Sequence, residues 1–156
     1  MTLREAVERV RAIPYGRNDE RSAAGVLAER RGTCSTKHLL LKELAPEIEL
    51  WHRVYRLTPE DARRLFGEHA ATVVPKDGLT DVHTYATVSL AGRRLTLDVT
   101  FPGGELWDGL SDMPVACGPG EDHAAGHDPL ATKLALVERH CDPALREPFI
   151  RALSDE

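Results

Sequence analysis

Leu3, Ala6, Val7 and Val10 recur at helical spacing and predict an amphipathic helix over residues 2–12, ended by Pro14 and Gly16. Tyr15 to Asp19 is then a loop. A second helix, roughly 21–30, is expected to pack Ala24, Leu27 and Ala28, with Gly32 closing it in the C′ position. Thr33, a good N-cap, precedes Cys34-Ser35-Thr36-Lys37-His38-Leu39-Leu40-Leu41, which predicts a buried helix that Pro46 terminates near Ala45. Ile48 to Leu57 alternates among β-formers and predicts a strand. Thr58-Pro59-Glu60-Asp61 opens a short helix ending near Gly67. The pattern weakens over 70–80, where Ala71 to Val74 fits a short strand and Pro75 to Gly78 a turn.

The clearest β signal spans 82–101. Val82, Thr84, Ala86, Val88 and Leu90 share one face; His83, Tyr85, Thr87 and Ser89 share the other. After Ala91-Gly92, Leu95, Leu97, Val99 and Phe101 form the second apolar set. Burying both sets on one side fixes the parity of the pairing. A two-residue loop then pairs Tyr85 with Asp98 and His83 with Thr100, leaving His83 and Asp98 as diagonal neighbours on one face. Residues 102–127 are rich in Gly and Pro and predict little regular structure. Asp128 caps a helix from Pro129 to about His140, and Asp142-Pro143 starts a last one.

This pattern places a thiol in the first turn of a helix, where free backbone N–H groups and the positive end of the macrodipole favour thiolate. A nucleophilic cysteine needs a base and a group to hold that base. Cys34, His83 and Asp98 are the candidates, and the Cys34 backbone N–H is a natural oxyanion donor. The chain has no glutamine, and Asn18 is its sole asparagine. Any mechanism that needs a side-chain amide therefore has Asn18 as its one candidate. Trp107, in the loop beyond Asp98, is a candidate wall for a substrate groove, and Trp51 is expected to pack in the core.

At 156 residues the chain is expected to form one domain, 1–156. Its net charge of −5 argues against nucleic acid or an anionic membrane as main partner. The N-terminus is too charged for a signal peptide, no apolar run is long enough to span a bilayer, and three cysteines suit a reducing compartment. These features predict a cytoplasmic protein.

Gly32-Thr33-Cys34 with its leucine helix, Asp81-Val82-His83-Thr84-Tyr85 and Leu97-Asp98-Val99-Thr100 together resemble the transglutaminase-like superfamily within the papain-like fold. The resemblance runs from about Leu3 to Pro102. It implies an α+β fold with the cysteine helix packed on an antiparallel sheet, residues 103–156 adding a loop and C-terminal helices. It also implies acyl transfer through a thioester on an amide, peptide or protein substrate, by hydrolysis or transfer, with Cys34, His83 and Asp98 as triad and no cofactor. The chain lacks the Gln or Trp that such enzymes carry upstream of the cysteine; the resemblance then leaves Asn18 as the second oxyanion donor, with Tyr15 as the weaker option, and an inactive binding module of the same fold is the rival reading. Asp98-Val99-Thr100-Phe101 is also similar to a strand of the arylamine acetyltransferase branch, a minor alternative.

Cys117, Asp122, His123, His127 and Asp128 match no strong zinc spacing and are expected to be solvated loop residues. His140-Cys141 is expected at a helix end, and His38 at the edge of the core. Arg30 and Arg31 stand beside the cysteine, where they are read as exposed.

Overall fold

The computed structural model describes residues Met1 to Ser154. These form α1 (Leu3–Arg11), α2 (Ala23–Glu29), α3 (Cys34–Leu44), β1 (Glu49–Leu57), α4 (Pro59–Phe66), α5 (Glu68–Thr72), β2 (Leu79–Leu90), β3 (Arg93–Leu97), β4 (Gly120–Ala124), α6 (Pro129–His140) and α7 (Pro143–Leu153). The four strands make one antiparallel sheet in the order β3-β2-β1-β4. The class is α+β. Among the described residues no helix is long and apolar enough to cross a membrane.

The hairpin that positions the candidate base has the expected register. Ala86 faces Leu97 and Leu90 faces Arg93. Ala91 and Gly92, with φ of 49° and 78°, occupy the left-handed region that a tight two-residue hairpin turn demands. The strand ends at Leu97, however, short of the expected Phe101. There the Asp98 carboxylate accepts from the Thr100 N–H at 3.0 Å, a local turn that competes with the ladder.

Two expected elements change type. Ala71 to Val74 is not a strand, because α5 occupies Glu68–Thr72, separated from α4 by Gly67 at φ 97°. Within the Gly/Pro-rich 102–127 stretch, Gly120–Ala124 pairs with β1. It has little β-propensity of its own. A Cβ on Gly120 would lie 2.2 Å from the Val54 carbonyl oxygen, so glycine is what lets this edge strand approach.

The second helix also differs from expectation. Ala23, Gly25 and Val26 are its buried residues, while Ala24, Leu27 and Ala28 are exposed. Its C-cap is Arg30 in the left-handed region at φ 56°, so Gly32 does not close it. Gly32 is needed for a different reason: a Cβ there would meet Lys37 Cγ at 2.7 Å. Hydrogen bonds from Gly16 N–H to the Gly32 carbonyl and from Gly32 N–H to the Pro14 carbonyl, both 3.1 Å, tie the loop after α1 to the start of α3.

One apolar cluster joins α1, α2 and α3 to the sheet through Val7, Val10, Val26, Leu41, Leu95 and Leu97. A second, around Leu57, Leu79, Ala70 and Phe149, packs α4, α5 and α7 against β1 and β2.

Candidate active site

Cys34 is the first residue of α3, with Thr33 as N-cap. The Thr33 N–H donates to Thr36 Oγ1 at 2.9 Å, and that hydroxyl donates to Asn18 Oδ1 at 2.6 Å. Asn18 Nδ2 in turn donates to the Arg31 carbonyl at 2.7 Å. Both ends of the Asn18 amide are thus spent on holding the turn before the cysteine. This corrects the expectation of an oxyanion donor: Asn18 is a buried brace and does not line the cavity over the sulfur.

The rest of the first turn is fixed just as firmly. Lys37 is fully buried and donates to the carbonyls of Arg11 (3.1 Å), Ile13 (2.6 Å) and Thr100 (2.9 Å). His38, also fully buried, bonds the Cys34 carbonyl through Nδ1 at 2.7 Å and receives the Val99 N–H at Nε2, 3.2 Å. An amide N–H can only donate, so Nε2 must accept and Nδ1 must carry the proton. His38 is a neutral strut between the cysteine turn and the end of the hairpin, and burial holds its pKa below the usual histidine range.

His83 and Asp98 meet as the strand parity predicts, with Nε2 and Oδ2 2.7 Å apart and both side chains buried. The Asp98 carboxylate also accepts from the Ala116 N–H at 2.8 Å and from Thr100 Oγ1 at 2.5 Å. Burial alone would raise its pKa, but the His83 charge and these donors hold it well below the usual carboxylate range. With Nε2 committed to Asp98, Nδ1 is the ring nitrogen left for the thiol. Burial alone would lower the His83 pKa; the adjoining Asp98 and Cys34 push it well above the usual imidazole value instead.

One residue of this cluster carries no sequence motif. Lys133, on α6 and only 7% exposed, brings Nζ to 3.1 Å from Cys34 Sγ and 2.6 Å from Ser35 Oγ. The signal that would have found it is its spacing: it shares a helix face with Leu130 and Val137, where a lysine is out of place unless it has a buried partner. The helix that carries it is anchored by His52, whose Nε2 bonds the Pro129 carbonyl at 2.8 Å while Nδ1 bonds Thr84 Oγ1 at 2.9 Å. Burial would raise the Cys34 pKa, yet the neighbouring Lys133 and His83 charges outweigh it, leaving the thiol well below its ordinary value. The balance favours the thiolate form of Cys34, which has Lys133 Nζ 3.1 Å from its sulfur and His83 beside it.

A cavity of about 560 Å³ opens over these groups. Tyr15, Phe66, Phe101, Leu130, Val137 and Ile150 give it a largely apolar wall, with Tyr15 stacked on Phe101 at 5.0 Å between centroids. Arg146 lines it too, its Nε on Asp81 Oδ1 at 2.6 Å. Tyr15 therefore lines the cavity, whereas Trp107, the candidate groove wall, does not. The loop carrying Trp107 folds back on α1, where the indole is buried and donates to the Ser111 carbonyl at 2.6 Å.

The remaining His, Cys and Asp residues of the glycine-rich stretch disperse. Asp122 pairs with Arg53 at 2.7 Å, Asp128 caps α6, and Cys117 lies in the second core cluster. Neither a family model, nor a curated protein, nor a solved structure matches this chain.

Proposed function

We propose that this chain is a cysteine-dependent hydrolase or acyltransferase with a papain-like, transglutaminase-like core, acting on an amide or peptide-like substrate whose acyl side carries an apolar group. The observation that carries the reading is the junction of Cys34 at a helix start with a buried His83–Asp98 pair, 2.7 Å apart, beneath an apolar cavity. In the acylation step the thiolate sulfur bonds the substrate carbonyl carbon, and the C=O π pair moves onto oxygen, which the Cys34 backbone N–H can receive. The oxyanion then collapses, the C–N bond breaks, and His83 gives its proton to the leaving amine. Water or an acceptor amine next attacks the thioester and His83 takes its proton. The C–S bond breaks and the thiolate returns. Asp98 holds the imidazole in register throughout.

The test is selective labelling. Burial pushes the thiols of Cys117 and Cys141 up, the latter to about 11, so Cys34 is expected to be the one cysteine that iodoacetamide modifies rapidly at neutral pH. Cys34→Ala should remove that label and any hydrolysis of activated acyl substrates. A Cys34 that reacts no faster than free cysteine would sink the reading.

A further inference from the structure

We infer that Lys133 is a catalytic residue, the second oxyanion donor of the site, which passes a hydrogen bond from the Cys34 sulfur to the substrate carbonyl oxygen as the tetrahedral adduct forms. This rests on the reading of Cys34 as nucleophile. The chain has no glutamine, and its one asparagine is locked to Arg31 and Thr36. The usual amide donors are thus absent from the sulfur. What stands there instead is a buried ammonium, with Nζ 3.1 Å from Sγ.

An ammonium has three N–H donors. One serves Ser35 Oγ and one the sulfur, which leaves a third. In the resting site the second bond goes to a thiolate, a full negative charge. Once sulfur bonds the carbonyl carbon it becomes an uncharged thioether sulfur, a weak acceptor, and the charge appears on an oxygen attached to that same carbon. The donor therefore has to turn only from one atom of the adduct to its neighbour, and the proton stays on Nζ. No solvent need reorganise, because the group is held in place before the reaction. Its position does not depend on the substrate: α6 is pinned at its first turn by the bond between His52 Nε2 and the Pro129 carbonyl, 2.8 Å. Tyr15 lines the cavity but has no hydrogen bond to the sulfur among the described residues, so Lys133 is the better-placed donor.

A lysine that merely stabilises the thiolate and one that also stabilises the oxyanion are separable, because alkylation forms no oxyanion and acylation does. The experiment compares two reagents, iodoacetamide and p-nitrophenyl acetate, on the full chain across pH. For each, the limiting rate with Cys34 fully ionised is taken. In Lys133→Met the alkylation profile should shift to higher pH, with its limiting rate within about threefold of the wild type. The limiting acylation rate should fall about a hundredfold or more, the usual loss for one oxyanion donor. Lys133→Gln, which keeps an N–H without the charge, should fall between the two, and it carries the comparison alone if Lys133→Met loses its near-ultraviolet circular dichroism. Equal losses in both limiting rates, or no loss in acylation, would overturn the role of Lys133 while leaving Cys34 as nucleophile. A wild-type Cys34 inert to both reagents would instead overturn the nucleophile reading itself.

Discussion

Four donors converge on the Asp98 carboxylate: His83 Nε2, the Ala116 and Thr100 N–H groups, and the Thr100 hydroxyl. A carboxylate supplies enough lone pairs for all four; an amide does not, since its NH₂ end would face donors. Asp98→Asn is therefore expected to turn His83 out of register and to cut the limiting rate of Cys34 acylation on the order of a thousandfold, with far-ultraviolet circular dichroism unchanged. Acylation at the wild-type rate in that variant would show that Asp98 does not orient the base. The placement of Cys34, His83 and Asp98 was legible from the chain because each follows from local rules: a helix start for Cys34, strand parity for the other two. Lys133 was not legible in that way. Its meaning depends on where α6 lands, and only the fold brings it beside a sulfur from the other end of the chain. Asn18 misled for the same reason, since its partners are a carbonyl and a hydroxyl that no spacing rule connects to it.

At the scale of elements, α3 is held by its polar residues as much as by its leucines. Lys37 gathers three carbonyls from the end of α1, the following loop and the chain beyond β3 onto one Nζ. Lys37→Met keeps the volume and removes every donor, orphaning acceptors that are shut off from water. At about 1 kcal/mol or more for each, unfolding by urea should show a loss of about 3 kcal/mol. A loss below about 1 kcal/mol would mean that the three carbonyls find other partners. Boundaries were the least legible feature at this scale. The Cys34 helix ends at Leu44 as Pro46 demands, and β1 fills its expected span. β3 stops early because Asp98 spends its carboxylate on the local backbone. β4 exists because β1 offers an edge and Gly120 can approach it, not because its own residues favour a strand.

Across the whole molecule, the buried histidines set how stability responds to acid. His38 and His52 are each fully buried, with one ring nitrogen beside a carbonyl oxygen and the other facing a donor or hydroxyl, so both are held neutral. Burial lowers both pKa values, that of His52 to about 4. A folded pKa below the unfolded value of about 6.5 means that only the unfolded chain takes up these protons as pH falls, so the folded state loses ground from about pH 6.5 downward. Each such proton is worth about 1.4 kcal/mol per pH unit once the slope is developed. The Cys34–His83 pair behaves as a unit. Folded, it holds one proton, on the imidazole. Unfolded, between about pH 6.5 and 8.5, it also holds one, on the thiol, so it adds no slope in that window. Above about 8.5 the unfolded thiol ionises while the raised imidazole of the folded state keeps its proton, so the pair's own contribution to stability falls. Below about 6.5 the unfolded imidazole gains a proton that the folded pair does not take until its thiolate protonates, which steepens the acid limb. Unfolding free energies measured in urea should therefore fall by about 3 kcal/mol per pH unit or more below about pH 6.5, whereas on the alkaline limb Lys37, whose burial lowers its pKa to about 7, gains stability with pH against the loss from the Cys34–His83 pair. His52→Gln should reduce that acid slope by one proton, about 1.4 kcal/mol per pH unit, while leaving the alkaline limb in place. Asp98, depressed far below the usual range, adds its own loss only below about pH 4, so the two causes are separated by where on the curve they act. A curve flat from about pH 6.5 to 4.5 would mean that the buried imidazoles protonate within the folded state, and that the hydrogen bonds holding α6 and the cysteine turn yield to acid before the fold does.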